Sequence, residues 1–315
     1  MEPKHLVLGA TGSIGFAYIA ELLKNDIPVA ALVRNKEKAE KLFGKNPLLE
    51  IIIADATDRN ALKEIAKNKE YIFHGVNYPY NLWEKYMEKV TENVIEAAGV
   101  NESTIIFPGN IYEYGNINEI KEETIPNPTT RKGKIRLKLH DLLLAAAESN
   151  ICRVIFVRLP DFFGPNVTNG LIEPIFGNAS RGKKMVYLLN ADVPHQFVYT
   201  PDAACVMHLL SLQQGLPVFA EYNFASFVVP SFREWALQIA EIAGGPSKIQ
   251  VIPKLLVNIL ALFNPVVKEL KENYYLFENN VQLNDNKVRE LLPGFKDTER
   301  SEMIKETLDW FRANA

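Results

Sequence analysis

The chain has 315 residues, of which 47% are hydrophobic and 23% are charged, a composition typical of a globular protein with a sizeable core. Its net charge is −3 and no basic tract is interleaved with aromatics, which excludes a strong electrostatic preference for nucleic acid. The longest apolar stretch, 255–263, is too short to span a bilayer, and no signal-peptide pattern precedes the first apolar run.

Strand-like and helix-like segments alternate through the first 160 residues. Apolar runs predict six strands, at 6–9, 28–33, 48–54, 71–74, 103–107 and 153–159. Helical spacing and capping signals predict helices between them, at 13–24, 36–43, 58–67, 83–98 and 127–149. Asp58 and Asn127 are the predicted caps of the third and fifth of these helices, and Gly99 is the predicted end of the fourth. The strands are unbroken Val/Ile/Leu runs, so the sequence predicts an α/β fold of the Rossmann type, a doubly wound parallel sheet with helices on both faces.

After Pro160 proline, glycine and asparagine become frequent and helices dominate. The predicted helices are 201–212, 231–243, 253–263, 266–277 and 298–313.

The two cysteines, Cys152 and Cys205, lie in apolar segments and lack the spacing of a metal site. We interpret both as reduced, buried side chains. With the composition above, they predict a cytoplasmic protein with no bound metal and with neither a membrane nor a nucleic acid among its partners.

Three glycines, Gly9, Gly12 and Gly15, fall where the first strand gives way to the first helix. Gly9 suits a tight turn, Gly12 lets the backbone approach a pyrophosphate, and Gly15 lets the helix pack against the strand. Amide groups and the dipole at the helix start favour phosphate charge. We therefore predict a dinucleotide site, with a merely tight turn as the alternative. The residues assigned to the cofactor in this loop are Gly9, Thr11, Gly12, Ser13, Ile14 and Gly15.

The second predicted strand ends in Arg34, where an acidic residue would accept a hydrogen bond from a ribose 2′-hydroxyl. Arginine suits a 2′-phosphate instead, so Arg34 favours NADP over NAD. The alternative is a surface arginine that starts a basic helix. Further cofactor contacts are predicted at the ends of the second, third and fourth strands, with Asp55 near the adenine: Asn35, Asp55, Ala56, Gly75, Val76 and Asn77.

Three later segments follow the glycine loop in a familiar order: FPGNIYEYG at 107–115, VRLPDFFGP at 157–165 and HQFVYTPDAA at 195–204. With GATGSIG, they resemble the extended short-chain dehydrogenase/reductase family, the NAD-dependent epimerase/dehydratase group. The VRN ending of the second strand also resembles the atypical, NmrA-like members. The resemblance covers nearly the whole chain and implies a sheet ordered 3-2-1-4-5-6-7, with ligands at the carboxyl ends of its strands.

The resemblance also implies two domains. Residues 1–165 would form a dinucleotide-binding Rossmann domain, to which 195–226 return, and residues 166–315 a smaller, mostly helical substrate domain. Asp202 is expected to cap a helix. Family members often pair through two helices, so a homodimer through 81–98 and 128–149 is a further expectation.

In this family a Tyr-x-x-x-Lys pair and a Ser or Thr carry the acid–base chemistry. Lys138 aligns with the lysine that holds the nicotinamide ribose, but Lys134 stands in place of the tyrosine and Asn110 in place of the hydroxyl residue. The family mechanism therefore needs another proton donor here. The candidates are Tyr112 and Lys134. Neighbouring cations would lower the pKa of Lys134, whereas Tyr114 is expected to have a packing role in the core.

Five cations occupy the eight residues 131–138, where they oppose the dipole of the predicted helix and repel one another. One interpretation is a solvated face paired with Glu122 and Glu123. The other is a binding site for an anion, either the cofactor or an acidic substrate. Gly133 predicts a close backbone approach here, because glycine costs about 1 kcal/mol inside a helix.

Two functions are compatible with these residues. The first is an oxidoreductase or epimerase that uses NADP, with NAD as the second choice, and transfers hydride to or from a small polar or nucleotide-sugar-like molecule. Pro160 would contact the cofactor, and the predicted substrate contacts are Asp161, Phe162, Phe163, Asn166, His195 and Tyr199. The second is a non-catalytic, NADP-binding sensor, which the NmrA-like resemblance allows.

Overall fold

The computed structural model describes residues 2–245, 247–263 and 265–314. Its strands are β1 (His5–Leu8), β2 (Val29–Val33), β3 (Leu49–Ile53), β4 (Tyr71–His74), β5 (Thr104–Gly109), β6 (Glu119–Ile120), β7 (Arg153–Arg158), β8 (Asp161–Phe163), β9 (Met185–Leu188), β10 (His195–Tyr199), β11 (Phe219–Asn223), β12 (Phe227–Val229), β13 (Ile249–Ile252) and β14 (Gln282–Leu283). Its helices are α1 (Ser13–Lys24), α2 (Lys36–Phe43), α3 (Arg59–Ile65), α4 (Trp83–Asn101), α5 (Arg131–Glu148), α6 (Asn178–Ser180), α7 (Thr200–Ser211), α8 (Phe232–Ala243), α9 (Lys254–Phe263), α10 (Pro265–Leu270), α11 (Tyr274–Glu278), α12 (Asn286–Leu291) and α13 (Arg300–Ala313).

The largest sheet among the described residues has the strand order β3-β2-β1-β4-β5-β7-β11, and the pairs from β3 to β7 are parallel. Since β7 and β11 are the sixth and seventh strands of this sheet in chain order, the predicted Rossmann-type fold and the order 3-2-1-4-5-6-7 are confirmed. The order reverses between β1 and β4, where Leu8 pairs with Leu32 on one side and His74 on the other. Such a switch point is where open α/β sheets bind ligands, outside the carboxyl ends of the strands.

Two predicted helix boundaries are wrong. Helix α4 continues through Gly99 and ends before Glu102, which adopts a φ of 56°. A Cβ at position 99 would lie 2.7 Å from Cγ2 of Ile151, so this glycine serves packing and does not end the helix. Helix α5 begins at Arg131 and not at Pro128, because the hydroxyl of Thr130 accepts a hydrogen bond from the amide of Gly133 at 3.0 Å, as a cap does.

Two smaller expectations also change. The predicted helix at 266–277 is divided into α10, a short 3₁₀ turn at Lys271–Asn273, and α11. Asp202 lies inside the first turn of α7 and does not cap it; its carboxylate accepts hydrogen bonds from the hydroxyl and the amide of Thr298 at 2.7 and 3.2 Å. Burial, the largest effect, raises the pKa of Asp202 to about 6.

The chain divides into two compact units. The first comprises the residues up to Asn110, Lys134–Arg158 and Ala203–Tyr222; the second comprises Ile111–Gly133, Leu159–Asp202 and the residues from Asn223 onward. The division expected from the sequence instead placed 111–133, 159–165, 195–202 and 223–226 with the first domain. Which unit binds cofactor and which binds substrate stays a prediction.

The second unit is built around an aromatic core. Trp235 packs edge-on against Phe163 at 5.4 Å between ring centroids, and its ring centroid lies 4.5 Å from that of Phe197. Since Phe163 belongs to β8 and Phe197 to β10, this packing fixes two neighbouring strands of a three-stranded sheet. The polar ends of these two strands are therefore held on a rigid base.

Candidate functional site

The glycine turn after β1 has the geometry that the sequence predicts for Gly9 and Gly15. Gly9 has a φ of 72°, and a Cβ there would lie 2.2 Å from the carbonyl oxygen of Gly75 and 2.8 Å from the amide nitrogen of Val76. A Cβ at Gly15 would lie 2.4 Å from the carbonyl oxygen of Gly9. Any side chain at either position would therefore push apart the ends of β1 and β4, or the start of α1 from the turn.

Gly12 differs from the other two glycines. It has an ordinary φ of −84° at the start of α1, and the nearest atom that its Cβ would meet is the carbonyl oxygen of Gly9 at 3.2 Å. This contact is tight but much less severe than those at Gly9 and Gly15, so the protein's own packing constrains Gly12 least of the three. A glycine here fits the approach of an external group to the helix start, where Thr11, Ser13 and Ile14 are half-buried or buried.

Arg34 and Asp55 meet at the carboxyl ends of β2 and β3. Asp55 accepts hydrogen bonds from the amide and hydroxyl of Thr57, both at 2.8 Å. Burial alone would raise its pKa, but these hydrogen bonds and the charges of Arg34 and Lys89 outweigh burial and hold the pKa below its usual range. The exposed Arg34 guanidinium also lies 5.6 Å from the ring centroid of Tyr78. Tyr78 is not among the residues predicted from sequence for this site.

The remaining predicted cofactor residues have mixed surroundings. Asn35 caps α2, since its side-chain oxygen accepts from the amide of Lys38 at 2.9 Å. Ala56 is buried, and its carbonyl accepts from the side chain of Asn93 at 3.0 Å. Gly75 and Val76 are half-buried and Asn77 is exposed after β4, whereas Pro160 is buried in the second unit.

Helix α5 has two chemically different sides. Lys134 and Lys138 are exposed, and the ammonium of Lys138 forms an ion pair with Glu88 of α4 at 2.5 Å. Lys132 and Arg136 have the same four-residue spacing but lie two residues earlier, on the inward side. The guanidinium of Arg136 lies 4.8 Å from the ring centroid of Trp83, whose side chain is buried.

The burial of α5 therefore disfavours the two lysines that the sequence analysis chose. The buried positions Leu139, Leu143 and Ala146 define the inward side of the helix, and Arg136 and Lys132 extend that row by three and then four residues. This apolar spacing is the signal from which the inward position of Lys132 and Arg136 could have been predicted; the roles of Lys134 and Lys138 stay a prediction.

The first cations of the cluster at 131–138 have partners far along the chain. Arg131 donates to both carboxylate oxygens of Glu269 at 2.9 and 3.0 Å, and Lys132 lies 3.2 Å from the same carboxylate. The amide of Lys132 donates to Glu272 at 3.0 Å. Burial lowers the pKa of the fully buried Lys132, although both carboxylates oppose this shift. Glu269 and Glu272 thus pair with the first two cations, and Glu122 accepts a hydrogen bond from the amide of Asn223 at 2.8 Å; a solvated face paired with Glu122 and Glu123 stays a prediction.

The close backbone approach predicted at Gly133 is confirmed. A Cβ there would lie 2.4 Å from the carbonyl oxygen of Tyr112. Tyr114 is buried, which is compatible with packing, and Tyr112 is half-buried. Asn110, directly after β5, is half-buried in the first unit.

A tyrosine, a histidine and an aspartate form a hydrogen-bonded row in the second unit. Nε2 of His195 lies 2.8 Å from Oδ2 of Asp161, and Nδ1 lies 3.4 Å from the hydroxyl of Tyr187. Because a carboxylate accepts, Nε2–H donates to Asp161 and the tyrosine donates to Nδ1. His195 and Tyr187 are buried and Asp161 is half-buried, so the carboxylate is the end of the row that solvent reaches. Burial and the Asp161 charge raise the pKa of Tyr187.

The other predicted substrate contacts lie deeper. Phe163 and Tyr199 are fully buried, and the hydroxyl of Tyr199 donates to Glu306. This burial favours packing over substrate contact for both side chains. Phe162 and Asn166 are half-buried.

Comparison with known proteins identifies a family and relatives that this chain resembles. A model of the NAD dependent epimerase/dehydratase family matches residues 5–223. An uncharacterized protein, y4nG, of Sinorhizobium fredii is 23% identical over 322 aligned positions, which cover 98% of this chain and 78% of that protein.

Two solved structures share the fold. MoeE5 in complex with UDP-glucuronic acid and NAD aligns with a TM-score of 0.79 and 19% identity over 99% of this chain and 100% of its own. UDP-glucuronic acid 4-epimerase from Bacillus cereus in complex with NAD aligns with a TM-score of 0.79 and 14% identity over 98% of this chain and 96% of its own.

Proposed function

The chain belongs to the NAD dependent epimerase/dehydratase family, and from this premise we propose that it is a nicotinamide-dependent oxidoreductase or epimerase. Its substrate would be a small polar or nucleotide-sugar-like molecule, and its reaction a hydride transfer. The observation that carries the proposal is the turn at Gly9, Gly12 and Gly15. Packing within the protein requires the first and third glycines strongly and the second only weakly, and the second fits a pyrophosphate at the start of α1.

The nicotinamide ring of the cofactor supplies the hydride chemistry when it is bound. The residues of this chain would hold the rest of the molecule: the α1 amides the pyrophosphate, Asp55 the adenine side and Arg34 a 2′-phosphate. We therefore propose NADP as the cofactor, with NAD as the second choice. The structural relatives named above are described with NAD, so the preference depends on Arg34 alone.

Replacing Arg34 with alanine is expected to weaken NADPH binding by about tenfold or more, because a charge-assisted contact to phosphate is lost. NADH binding should change little, since NADH has no 2′-phosphate. Isothermal titration calorimetry with both coenzymes measures this difference. Lys36→Ala is the matched control, because Lys36 is an exposed cation two residues away that pairs with Glu40 at 3.5 Å. Equal weakening of both coenzymes by Arg34→Ala would exclude the 2′-phosphate contact.

For proton transfer we propose groups on rigid elements. Asn110 would orient a substrate oxygen and Tyr112 is the candidate donor, whereas Lys132 is fully buried and held by Glu269. Asp161, held by His195, is the candidate base of the second unit, because its carboxylate is both oriented and reachable.

Turnover tests this function. The protein with NADP or NAD should convert UDP-glucose or UDP-glucuronic acid, followed by NMR of the sugar, or consume NADPH with a panel of carbonyl compounds. Asp161→Asn should lower kcat/KM by about tenfold or more with coenzyme affinity unchanged. The matched control is Asp192→Asn, an exposed carboxylate that pairs with Arg233 at 2.7 Å.

The second candidate function is a cofactor-binding sensor without turnover. The replacement of the family's tyrosine by Lys134 favours it. Tight coenzyme binding, no turnover with any compound of the panel and unchanged affinity in Lys138→Ala would support the sensor over the enzyme.

A further inference from the structure

Helix α9 carries a row of large apolar side chains on its solvent side, which we call the apolar stripe: Leu255, Leu256, Ile259, Leu262 and Phe263. These side chains are 42–83% exposed. Spacings of three, four and seven residues put them on one side of the helix, whereas Val257 and Ala261 are buried on the other. An apolar row of this size on a protein surface marks an interaction site.

A cationic cavity adjoins the apolar stripe. It has a volume of about 510 Å³, and Ala261 and Leu262 of α9 form part of its wall. Its cations are Arg131, Lys268 and Lys271. Apolar surface and positive charge therefore lie side by side on the second unit.

The carboxylates of the cavity do not neutralise its two lysines. Glu269 pairs with Arg131 and Lys132, and Glu272 accepts from the amide of Lys132 and lies 3.5 Å from Arg131. The exposed Lys268 and Lys271 form no ion pair with any residue in the part of the chain that the structure describes. An excess of positive charge thus remains beside the apolar stripe.

We propose that this side of the protein docks on a bilayer that contains anionic phospholipids. The apolar stripe would enter the boundary between headgroups and acyl chains, with Lys268 and Lys271 facing the phosphates. The ten residues of α9 span only about 15 Å, so the helix lies in the plane of the interface. Among the described helices, none offers an apolar stretch long enough to cross a membrane.

Charge favours a lipid surface over a second copy of this chain. In a two-fold symmetric contact on the stripe, both copies would bring the same excess of positive charge to the border of the interface, with no anionic surface to pair with it. An anionic surface instead attracts each lysine by about 1 kcal/mol. The proposal goes beyond the enzymatic function and revises the expectation that no membrane is among the partners.

Co-sedimentation of the full chain with vesicles tests the docking. Vesicles of phosphatidylcholine alone are compared with equimolar phosphatidylcholine and phosphatidylserine. We expect binding to the second kind, weakened about tenfold or more in Leu262→Gln/Phe263→Gln and also in Lys268→Ala/Lys271→Ala, and weakened for the wild type by added salt. Leu237→Gln on α8 is the matched control, because Leu237 is an exposed leucine, 58% accessible, outside the stripe.

Coenzyme binding and circular dichroism check that each variant is folded. The proposal is overturned if the wild type binds neither kind of vesicle, or if Leu237→Gln loses as much binding as the stripe variant. It is also overturned if analytical ultracentrifugation finds a dimer that the stripe substitutions dissociate while vesicle binding is absent, since a second copy then covers the stripe.

Discussion

Replacing Gly9 with alanine is expected to lower the free energy of unfolding by about 3 kcal/mol or more and to abolish coenzyme binding. The left-handed φ of 72° would strain any L side chain, and the new Cβ would lie 2.2 Å from the carbonyl oxygen of Gly75. The contact is with backbone at the end of β4, so relief requires β1 and β4 to separate at their carboxyl ends. Denaturation in urea, followed by circular dichroism, measures the loss.

Substitutions at two other glycines separate backbone strain, steric contact with the protein and contact with the coenzyme. Gly244→Ala has a comparable φ of 69° with nothing within 4 Å of the new Cβ, so it should cost only about 1 kcal/mol. Gly12→Ala should leave stability within about 1 kcal/mol of wild type and still weaken coenzyme binding, since its methyl would meet the ligand more than the protein. Gly12→Ala with unchanged coenzyme affinity would count against the phosphate site at α1.

Arg158→Met is expected to destabilise the first unit by about 2 kcal/mol or more, because it leaves the half-buried carboxylate of Glu221 without its guanidinium. Arg158 is 1% exposed at the end of β7 and forms an ion pair with Glu221 of β11. Nε2 of His140 lies 2.9 Å from the same carboxylate oxygen. Arg153→Met, on the same strand, is the control: Arg153 is exposed and donates to the carbonyl of Leu216 at 2.6 Å, so its loss should cost less than about 1 kcal/mol.

The contacts of Glu221 with Arg158 and His140 make the free energy of unfolding depend on pH. Burial alone would raise the pKa of Glu221, but the hydrogen bonds and charges of His140 and Arg158 outweigh burial and lower it. The stabilisation from this carboxylate is therefore fully present above its unfolded pKa of about 4.3 and is lost as the pH falls through the lower folded value. The stability difference between wild type and Arg158→Met should shrink across that acidic range. A difference that is constant with pH would mean that Arg158 acts through packing alone.

Local pattern was enough to predict much of the first unit. The bounds of α1, α2 and β4 are the predicted ones, because caps, helical spacing and apolar runs are all local signals. The roles of Gly9 and Gly15 in packing also follow from spacing, since a strand, a tight turn and a helix leave no room for side chains at these points.

The features that sequence could not supply depend on long-range packing. Lys134 and Lys138 were chosen by alignment with a motif, but the apolar row of α5 turns them outward. The partner of Arg131 is Glu269, which stands 138 residues further along the chain, and no local pattern connects the two. The full burial of Phe163 depends in the same way on aromatic partners such as Trp235 from another helix.

The interrupted path of the chain through its two units has a consequence for biosynthesis. The outermost strand of the seven-stranded sheet, β11, emerges from the ribosome long after β7, its neighbour in the sheet. Until then β7 is an exposed edge strand of the nascent polypeptide, and Arg158 lacks its carboxylate partner. Exposed edge strands can pair with strands of other chains. Completion of this sheet during synthesis must therefore wait for residues that follow two segments of the second unit, 111–133 and 159–202, and a fragment ending near residue 165 would keep that edge bare.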